Sequence, residues 1–405
     1  MPDAVLGRIL RVVGARSLNT FGRAVINATV LWELYLRTDS KLVIAGVGLV
    51  QVIPVILLFI PAGTLVDRSD RRFLATLAVA TTGAIGVGLA LVSAAGAPVL
   101  AYYALLLVQG CVNVIHAPAS SSLIPLILPR EDLGRANRIS SSLQELSAII
   151  GPALAGLALR SVAPHWIYAF VALTGVSSAI MYRSLPKARV IPDAGASSAR
   201  KDWRVGLRFI WSSPLLLPAL TLDMFAVLFA GVTALLPAIA HDILHTDAFG
   251  YGLMRAAQSA GAVMMAVIAG RLRPWKRPGK VLLIVVALFG VATMGVGLST
   301  SLPLTVVLLV TCGALDNISV VIRLTLEQLV VPDAIRGRVS AVHYVFIGMS
   351  NELGAAESGL AANLVGTVPA IVGGGAVAIA VVALVVVKWR ALAAMPPLAD
   401  LKPSE

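Results

Sequence analysis

Charge is what this 405-residue chain has least of: 13% of its residues are charged, with 20 Asp and Glu against 32 Lys and Arg. A chain that is 58% hydrophobic, with mean hydropathy +0.90, cannot cover its apolar surface in water with so few charges. The soluble globular class is excluded. Cysteine is nearly absent too. Cys111 and Cys312 both sit inside apolar runs, which excludes a secreted disulfide framework and a thiolate metal site. His241-Asp242-x-x-His245 has a metal-like spacing but lacks a third ligand at a fixed distance, so no metal is expected. No Gly-rich phosphate loop and no nucleophile with its base is visible, so neither a nucleotide-driven pump, nor an enzyme, nor any cofactor is expected. The net charge of +12 is spread over short turns without an aromatic-interleaved basic patch, which argues against a nucleic-acid partner.

Long apolar runs are what the chain does have. Runs of about 20 residues, matched to a hydrocarbon thickness of roughly 30 Å, predict twelve spans. They lie near 9–36, 42–66, 73–95, 99–128, 138–161, 165–184, 214–240, 249–272, 280–299, 303–331, 339–366 and 369–388. An even number of spans puts both termini on one side of the membrane. All Lys and Arg fall at the termini or in the turns on their side, except Arg37, Lys41 and Arg160 at the opposite face and Arg23, Arg255 and Arg323 inside spans. The positive-inside tendency therefore places both termini in the cytoplasm. The segment after Arg8, Arg11 and Arg16 is long and carries Asn19, Arg23 and Asn27, so it reads as a retained first helix rather than a cleaved leader.

The expected fold is an all-α polytopic membrane protein built from two six-helix halves. Residues 1–185 form the first bundle and 214–390 the second, joined by a cytoplasmic linker at 186–213 and followed by an unstructured, proline-bearing tail at 391–405. Within the linker, Trp203, Leu207, Ile210 and Trp211 share one helical face and Arg204 and Arg208 another. This reads either as a short helix on the membrane surface or as the start of span 7. A shift of 203 residues superposes Pro129…Gly134-Arg135 on Pro332…Gly337-Arg338. It also pairs Gly110 with Gly313, Ser147 with Ser350, Gly151 with Gly354 and Gly156 with Gly359. Spans 4–5 and 10–11 are thus expected to be equivalent, as in halves related by an axis along the membrane normal.

The turn after span 2 is the most specific motif. In Gly63-Thr-Leu-Val-Asp67-Arg68-Ser-Asp70-Arg71-Arg72 a small residue, an acid and a basic cluster lie between two apolar spans. Gly63 would let its helix approach a neighbour closely, Asp67 could face a helix N-terminus, and the arginines would hold the turn in the cytoplasm. The stretch resembles the signature loop between helices 2 and 3 of the major facilitator superfamily, with Asp70 where a second glycine usually stands. Gly206-Leu-Arg-Phe-Ile, Pro332-Asp-Ala-Ile-Arg-Gly-Arg-Val-Ser-Ala341 and Phe346-Ile-Gly-Met-Ser-Asn351-Glu352-Leu-Gly354 are similar to the branch related to enterobactin exporters, the transmembrane secretion effectors. The resemblance implies that Asp67 faces the start of helix 11 near Arg338, while Arg68, Arg71 and Arg72 join ion pairs across the halves. It would be a gate confined to the first half, since the counterpart Gly270–Lys280 has no acid.

Ionisable residues inside spans are the candidates for chemistry, because a charge near the bilayer centre costs at least about 2.5–3.5 kcal/mol. Span 10 carries Asp316, Arg323 and Glu327 on one face, with an Arg323–Glu327 ion pair as the simplest neutralising arrangement. Span 1 carries Asn19, Arg23 and Asn27 at successive fours, span 4 carries Asn113, His116 and Ser120, and span 7 carries Asp223. The resemblance implies that helices 1, 4, 7 and 10 line the central cavity, so these residues are the expected substrate-cavity set. Asp223, Asp316, Glu352 and Glu145, in that order, are the candidates for a coupling proton. Glu33 and Arg37, beside Trp32 and Tyr35, read as an ion pair at the outer interface.

Three functions follow from these features. The first is a proton-coupled exporter of amphipathic or siderophore-like small molecules from a bacterial cytoplasm, monomeric and embedded in the inner membrane. The second is an importer or facilitator of an anionic metabolite, suggested by Arg23, Arg255 and Arg323. The third is a transporter-shaped sensor or assembly factor without flux.

Overall fold

A computed structural model describes residues 2–186, 203–269 and 275–401, without the side chains of residues 2–4, 59, 60, 67, 130, 203, 344 and 399. The described residues form helices and turns with no strand. Six helices come first: α1 (Pro2–Thr38), α2 (Lys41–Arg68), α3 (Arg71–Ala94), α4 (Val99–Ile127), α5 (Leu133–Ala158) and α6 (Pro164–Arg183). After a short α7 (Trp203–Ser212) come α8 (Leu216–Ala230), α9 (Ala248–Ala269), α10 (Pro278–Leu298), α11 (Leu302–Val330), α12 (Asp333–Val365) and α13 (Thr367–Lys388). Among the described residues, nine helical segments are long and apolar enough to cross a membrane. The helices α1, α5 and α12 fall outside that set although they run 37, 26 and 33 residues. Their polar faces carry many of the candidate residues.

Local chemistry sets where helices stop. Asp70 caps α3, its Oδ1 accepting from the backbone N–H of Arg72 at 2.8 Å and of Phe73 at 3.3 Å. The residue that departs from the signature loop is thus a helix N-cap. Between α12 and α13 the chain reverses at Gly366, whose φ of +92° favours glycine.

The chain divides into two compact units, Met1–Ile191 with His245–Ala256, and Pro192–Leu244 with Ala257–Glu405. In the first, α3 packs on α6, α1 on α5 and α6, and α2 on α4. Gly83 and Gly175 let α3 and α6 touch backbone to backbone; a Cβ on Gly175 would lie 2.5 Å from the Gly83 Cα. Such close approach is how helices gain dispersion energy where lipid removes the hydrophobic incentive. The start of α9 belongs to this unit. Tyr251 stacks on Trp32 with centroids 5.1 Å apart and donates its hydroxyl to the Ala28 carbonyl at 3.0 Å, while Arg160 pairs with Asp247 at 2.9 Å.

The ion pair expected between Glu33 and Arg37 is present, and Glu33 has further partners. Its carboxylate is buried, and beyond Arg37 at 2.8 Å it accepts hydroxyls from Ser93 (2.6 Å), Tyr102 (2.8 Å) and Tyr168 (2.8 Å). It ties α1 to α3, α4 and α6. Burial demanded more partners than one half-exposed arginine, and three helices supply them.

In the second unit α10 packs on α13 and α11, and α12 packs on α8, α7 and α13. The short α7 is a helix of its own, separated from α8 at Ser213 and Pro214, with Trp211 exposed and Ile210 buried. Span 7 departs from expectation. Its helix stops at Ala230 and continues as a 3-10 turn at Val232–Leu235, a short α-turn, and a π-turn at Ile239–Ile243. Pro237 cannot donate to the carbonyl four residues back, and Gly231 tolerates the bend. The freed carbonyls of Ala230 and Gly231 accept the Thr293 and Ser358 hydroxyls, each at 3.3 Å. The tail also differs: Arg390–Ala393 is a helical turn, and Leu392 and Met395 are buried in this unit's core.

Matching contacts support the 203-residue repeat. Gly110 lets α4 meet α2, where a Cβ would lie 3.3 Å from the Gln51 carbonyl oxygen, and Gly313 lets α11 meet α9 at the Gln258 carbonyl. Gly151 faces Ala24 of α1 at 2.9 Å, and Gly354 faces the Val227 carbonyl of α8 at 2.8 Å. Ser147 and Ser350 each donate to the carbonyl four residues earlier, at 2.7 and 2.6 Å.

Gly313→Val, which drives methyls into the Gln258 backbone, should destabilise the purified protein by about 1–3 kcal/mol. Gly63→Ala meets no atom within 4 Å and should leave thermal unfolding within about 0.5 kcal/mol of the parent or raise it. Equal melting temperatures for parent and Gly313→Val, measured in detergent, would contradict the close-approach account.

Candidate substrate and proton site

Asp223 is the one ionisable residue of α8, whose other fourteen positions are apolar or hydroxyl-bearing. In α11, a seven-residue and then a four-residue step put Asp316, Arg323 and Glu327 on one face. The two helices meet through an ion pair between Arg323 and Asp223, which are 3% and 8% exposed. The Arg323 Nε also donates to the Ser319 carbonyl at 3.2 Å on its own helix. Buried charges of either sign are costly alone, and pairing with hydrogen bonds is what allows them to stay ionised.

Asp316 lies next to this pair. It lines a small cavity with Asp223, Ala226 and Val227 of α8, Val285, Val286 and Phe289 of α10, and Leu315 and Ser319 of α11. The space suits about one water molecule. Among the described residues Asp316 has no hydrogen-bond or ion-pair partner. The site therefore holds one ion pair and, beside it, a carboxyl without a hydrogen bond, in a cavity lined mostly by apolar side chains.

The Arg323–Glu327 ladder is overturned. Arg323 reaches across to Asp223, and Glu327 turns to α12, where it accepts from Ser340 Oγ and lies 2.5 Å from His343 Nδ1. Spacing along one helix shows who shares a face, but the neighbouring helix decides the partner.

The first unit gathers a different polar group. Asn19 Nδ2 lies 3.3 Å from His116 Nδ1, and the Tyr182 hydroxyl lies 3.4 Å from His116 Nε2. Because an amide nitrogen only donates, His116 accepts at Nδ1 and carries its hydrogen on Nε2. Arg23 and Arg16 are close enough to act on the ring electrostatically. Asn113 accepts from Gln109 at 3.0 Å, and Ser120 donates to the Ala117 carbonyl at 3.2 Å. Asn27 is half-buried on α1, Glu145 is exposed on α5 and Glu352 half-buried on α12, so neither of these acids joins the Asp223 pair.

The turn after α2 is only partly described. The Asp67 side chain lies outside the described residues. Beside Gly63, no atom of the described residues lies within 4 Å of where a Cβ would stand. Arg72 Nη1 donates to the Leu185 carbonyl at 2.5 Å and the Arg183 carbonyl at 3.3 Å, capping the end of α6. Arg71 reaches the Ser122 carbonyl at 3.5 Å, and Arg68 is exposed. In the second unit, the Arg338 backbone seats Gly206 of α7, where a Cβ would lie 2.7 Å from the carbonyl oxygen.

Sequence reasoning missed His343, Tyr182, Tyr102 and Tyr168. A histidine inside an apolar span is a signal by itself, and His343 carried it as plainly as His116 did. The tyrosines gave none, because their hydroxyls become meaningful only when a buried acceptor is placed beside them.

Bundled apolar helices with ionisable groups turned inward define a polytopic membrane carrier. The chain belongs to the Major Facilitator Superfamily, whose family model matches residues 12–355. It is therefore a transporter-family protein and not an enzyme. It is 31% identical over 284 residues to an enterobactin exporter of Citrobacter koseri, covering 69% of this chain and 67% of that protein. An Escherichia coli enterobactin exporter is 30% identical over the same shares. Solved structures share the fold: a bacterial homologue of the lysosomal transporter Spinster, in an inward-facing and occupied conformation, has a TM-score of 0.72 at 16% identity over 98% of both chains. A D-xylose–proton symporter gives 0.71 at 12% identity, also over 98% of both.

Removing one partner of a buried ion pair typically costs about 3–5 kcal/mol, because the other charge is left uncompensated. Asp223→Asn and Arg323→Gln should therefore each lower thermal stability strongly, and the double variant should be more stable than either single one. Additive losses in that double-mutant cycle would refute the pairing.

Proposed function

We propose that the chain is a proton-coupled exporter of amphipathic or siderophore-like small molecules, working by alternating access as a monomer in a bacterial inner membrane with both termini in the cytoplasm. The observation that carries the reading is Asp316, an unpartnered carboxyl in a water-sized cavity beside the Asp223–Arg323 pair. Asp223 is engaged by Arg323, and Asp316, beside that pair, is the carboxyl this reading assigns to the proton. A proton there removes a negative charge from an apolar enclosure and the repulsion between two carboxylates, so it shifts the stability of whichever conformation encloses the site. Outward transport of an amphipathic compound is supported by the 31% identity to a protein named as an enterobactin exporter. The import reading loses one of its three arginines, because Arg323 is engaged by Asp223.

The substrate cavity in this reading includes Asn19, Arg23, Asn27, Asn113, His116 and Ser120 of the first unit with Asp316 and Arg323 of the second. Asp67 acts as a gate by facing the start of α12 near Arg338. A carboxylate at a helix N-terminus contributes about 0.3–2 kcal/mol, enough to bias two conformations without locking either.

Flux of enterobactin in proteoliposomes, with and without an imposed proton gradient, tests the coupling. The gradient should drive accumulation in the parent, and Asp316→Asn should abolish that dependence. Gradient-insensitive flux that survives both Asp223→Asn and Asp316→Asn would sink the antiport mechanism and leave transport standing. In the same assay Asp67→Asn should change the rate roughly twofold to thirtyfold, the range set by the helix-terminus interaction, with melting temperature unchanged. An unaltered rate would reduce the turn to a topological role.

A further inference from the structure

The short helix α7 has one face turned to the protein. Gly206 lies against the Arg338 backbone of α12, and Ile210, one turn on, is buried in this unit's core with Leu207 and Phe209 packed beside it. At about 100° per residue, the opposite face runs through Arg204, Arg208 and Trp211, which follow one another at steps of four and three. All three are exposed, Trp211 to 64%. The indole thus stands with the two arginines, and not with Ile210 as the apolar pattern of the segment suggests.

That stripe has a definite chemistry. An indole combines a large apolar ring with one N–H donor, and tryptophan gathers at the headgroup level of membranes for that reason. A guanidinium matches a phosphate in its plane with two hydrogen bonds and keeps its charge in any setting. In a row along one helix face, the three fit a phosphodiester headgroup whose acyl chains lie against the ring. A face turned only to water gains nothing from an indole, whose apolar area stabilises when it is covered. No acid stands on α7. A zwitterionic headgroup brings its own cation, which the two arginines repel, whereas a headgroup charged only at its phosphate brings none.

The same end of the unit is rich in exposed cations. The turn Arg390–Ala393 meets the start of α10, where a Cβ on Gly279 would run into the Leu392 carbonyl, and Leu392 and Met395 share a core with Ile210. Around them Lys276, Arg277, Lys280, Lys388 and Arg390 are exposed, and the Lys388 ammonium lies 4.7 Å from the Trp389 ring centroid. Of the exposed acids described at this end, Asp333 pairs with Arg336, and Asp400 stands in the final turn. Such an excess of positive charge at a membrane surface draws anionic lipid towards α7.

We propose that Arg204, Arg208 and Trp211 form a binding site for an anionic phospholipid, with the arginines on the headgroup phosphate and the indole at the level of the glycerol. The leaflet concerned follows from the orientation proposed above, whereas the binding itself does not depend on it.

The test uses the full-length protein in phosphatidylcholine nanodiscs. A fixed minority of the lipid, either phosphatidylglycerol or phosphatidylcholine, carries brominated acyl chains, which quench tryptophan on contact. The chain has six tryptophans, and the share of Trp211 is the difference in fluorescence between the parent and Trp211→Phe. Brominated phosphatidylglycerol should quench that share at least about twofold more than brominated phosphatidylcholine, since each arginine at the surface favours an anionic lipid by about fivefold. The excess should shrink as salt rises from about 0.05 to 0.5 M, and it should vanish in the Arg204→Gln/Arg208→Gln double variant. Equal quenching by the two lipids would make Trp211 a general interfacial anchor and overturn the site, as would an excess that survives the double variant. Should the double variant fail to fold, the parent and Trp211→Phe at low and high salt decide the question, and an excess unmoved by salt overturns the site.

Discussion

The ion pair between Arg323 and Asp223 is the interaction on which the polar interior of the second unit depends. An arginine in apolar surroundings cannot give up its proton, so it must find a carboxylate within reach. Asp223 is the one acid that α8 supplies, and its capture has two consequences. Glu327 is released from its neighbour on the same helix and turns to Ser340 and His343, and Asp316 is left without a partner in the adjoining cavity. One pairing thus gives three acids three different settings: ion-paired with Arg323, in contact with Ser340 and His343, and in the cavity without a hydrogen bond among the described residues.

The first unit solves the same problem with hydroxyls. Glu33 is satisfied by Arg37 and by Ser93, Tyr102 and Tyr168, a set drawn from four helices, and His116 is held by Asn19 and Tyr182. Donors fixed on separate helices join those helices as a side effect of satisfying the acid. The second unit, by comparison, keeps Asp316 in its cavity without a hydrogen bond among the described residues.

Much of the architecture was legible in the sequence because membranes simplify the rules. Apolar run length, the cytoplasmic bias of Lys and Arg, and glycines repeating at an offset of 203 depend on the solvent and on local geometry, and these gave the helices and their equivalence. The glycine pairs Gly110 with Gly313 and Gly151 with Gly354 do sit at corresponding helix crossings. Where inference ran along a single helix it failed, as with Arg323 and Glu327, because residues four apart share a face without having to share a bond. Asp70, read in the sequence only as a departure from the signature loop, is an N-cap that the structure showed.

By itself, then, the sequence determined the solvent this protein lives in, its helical class, its two-part repeat and the list of ionisable residues that had to face inward. These follow from periodicity and composition, which each segment carries independently of the rest. Only the tertiary structure decided which of those residues are neutralised and which are left open. That choice belongs to pairs of helices far apart in the chain, as those of Asp223 and Arg323 are, and no spacing within one helix contains it.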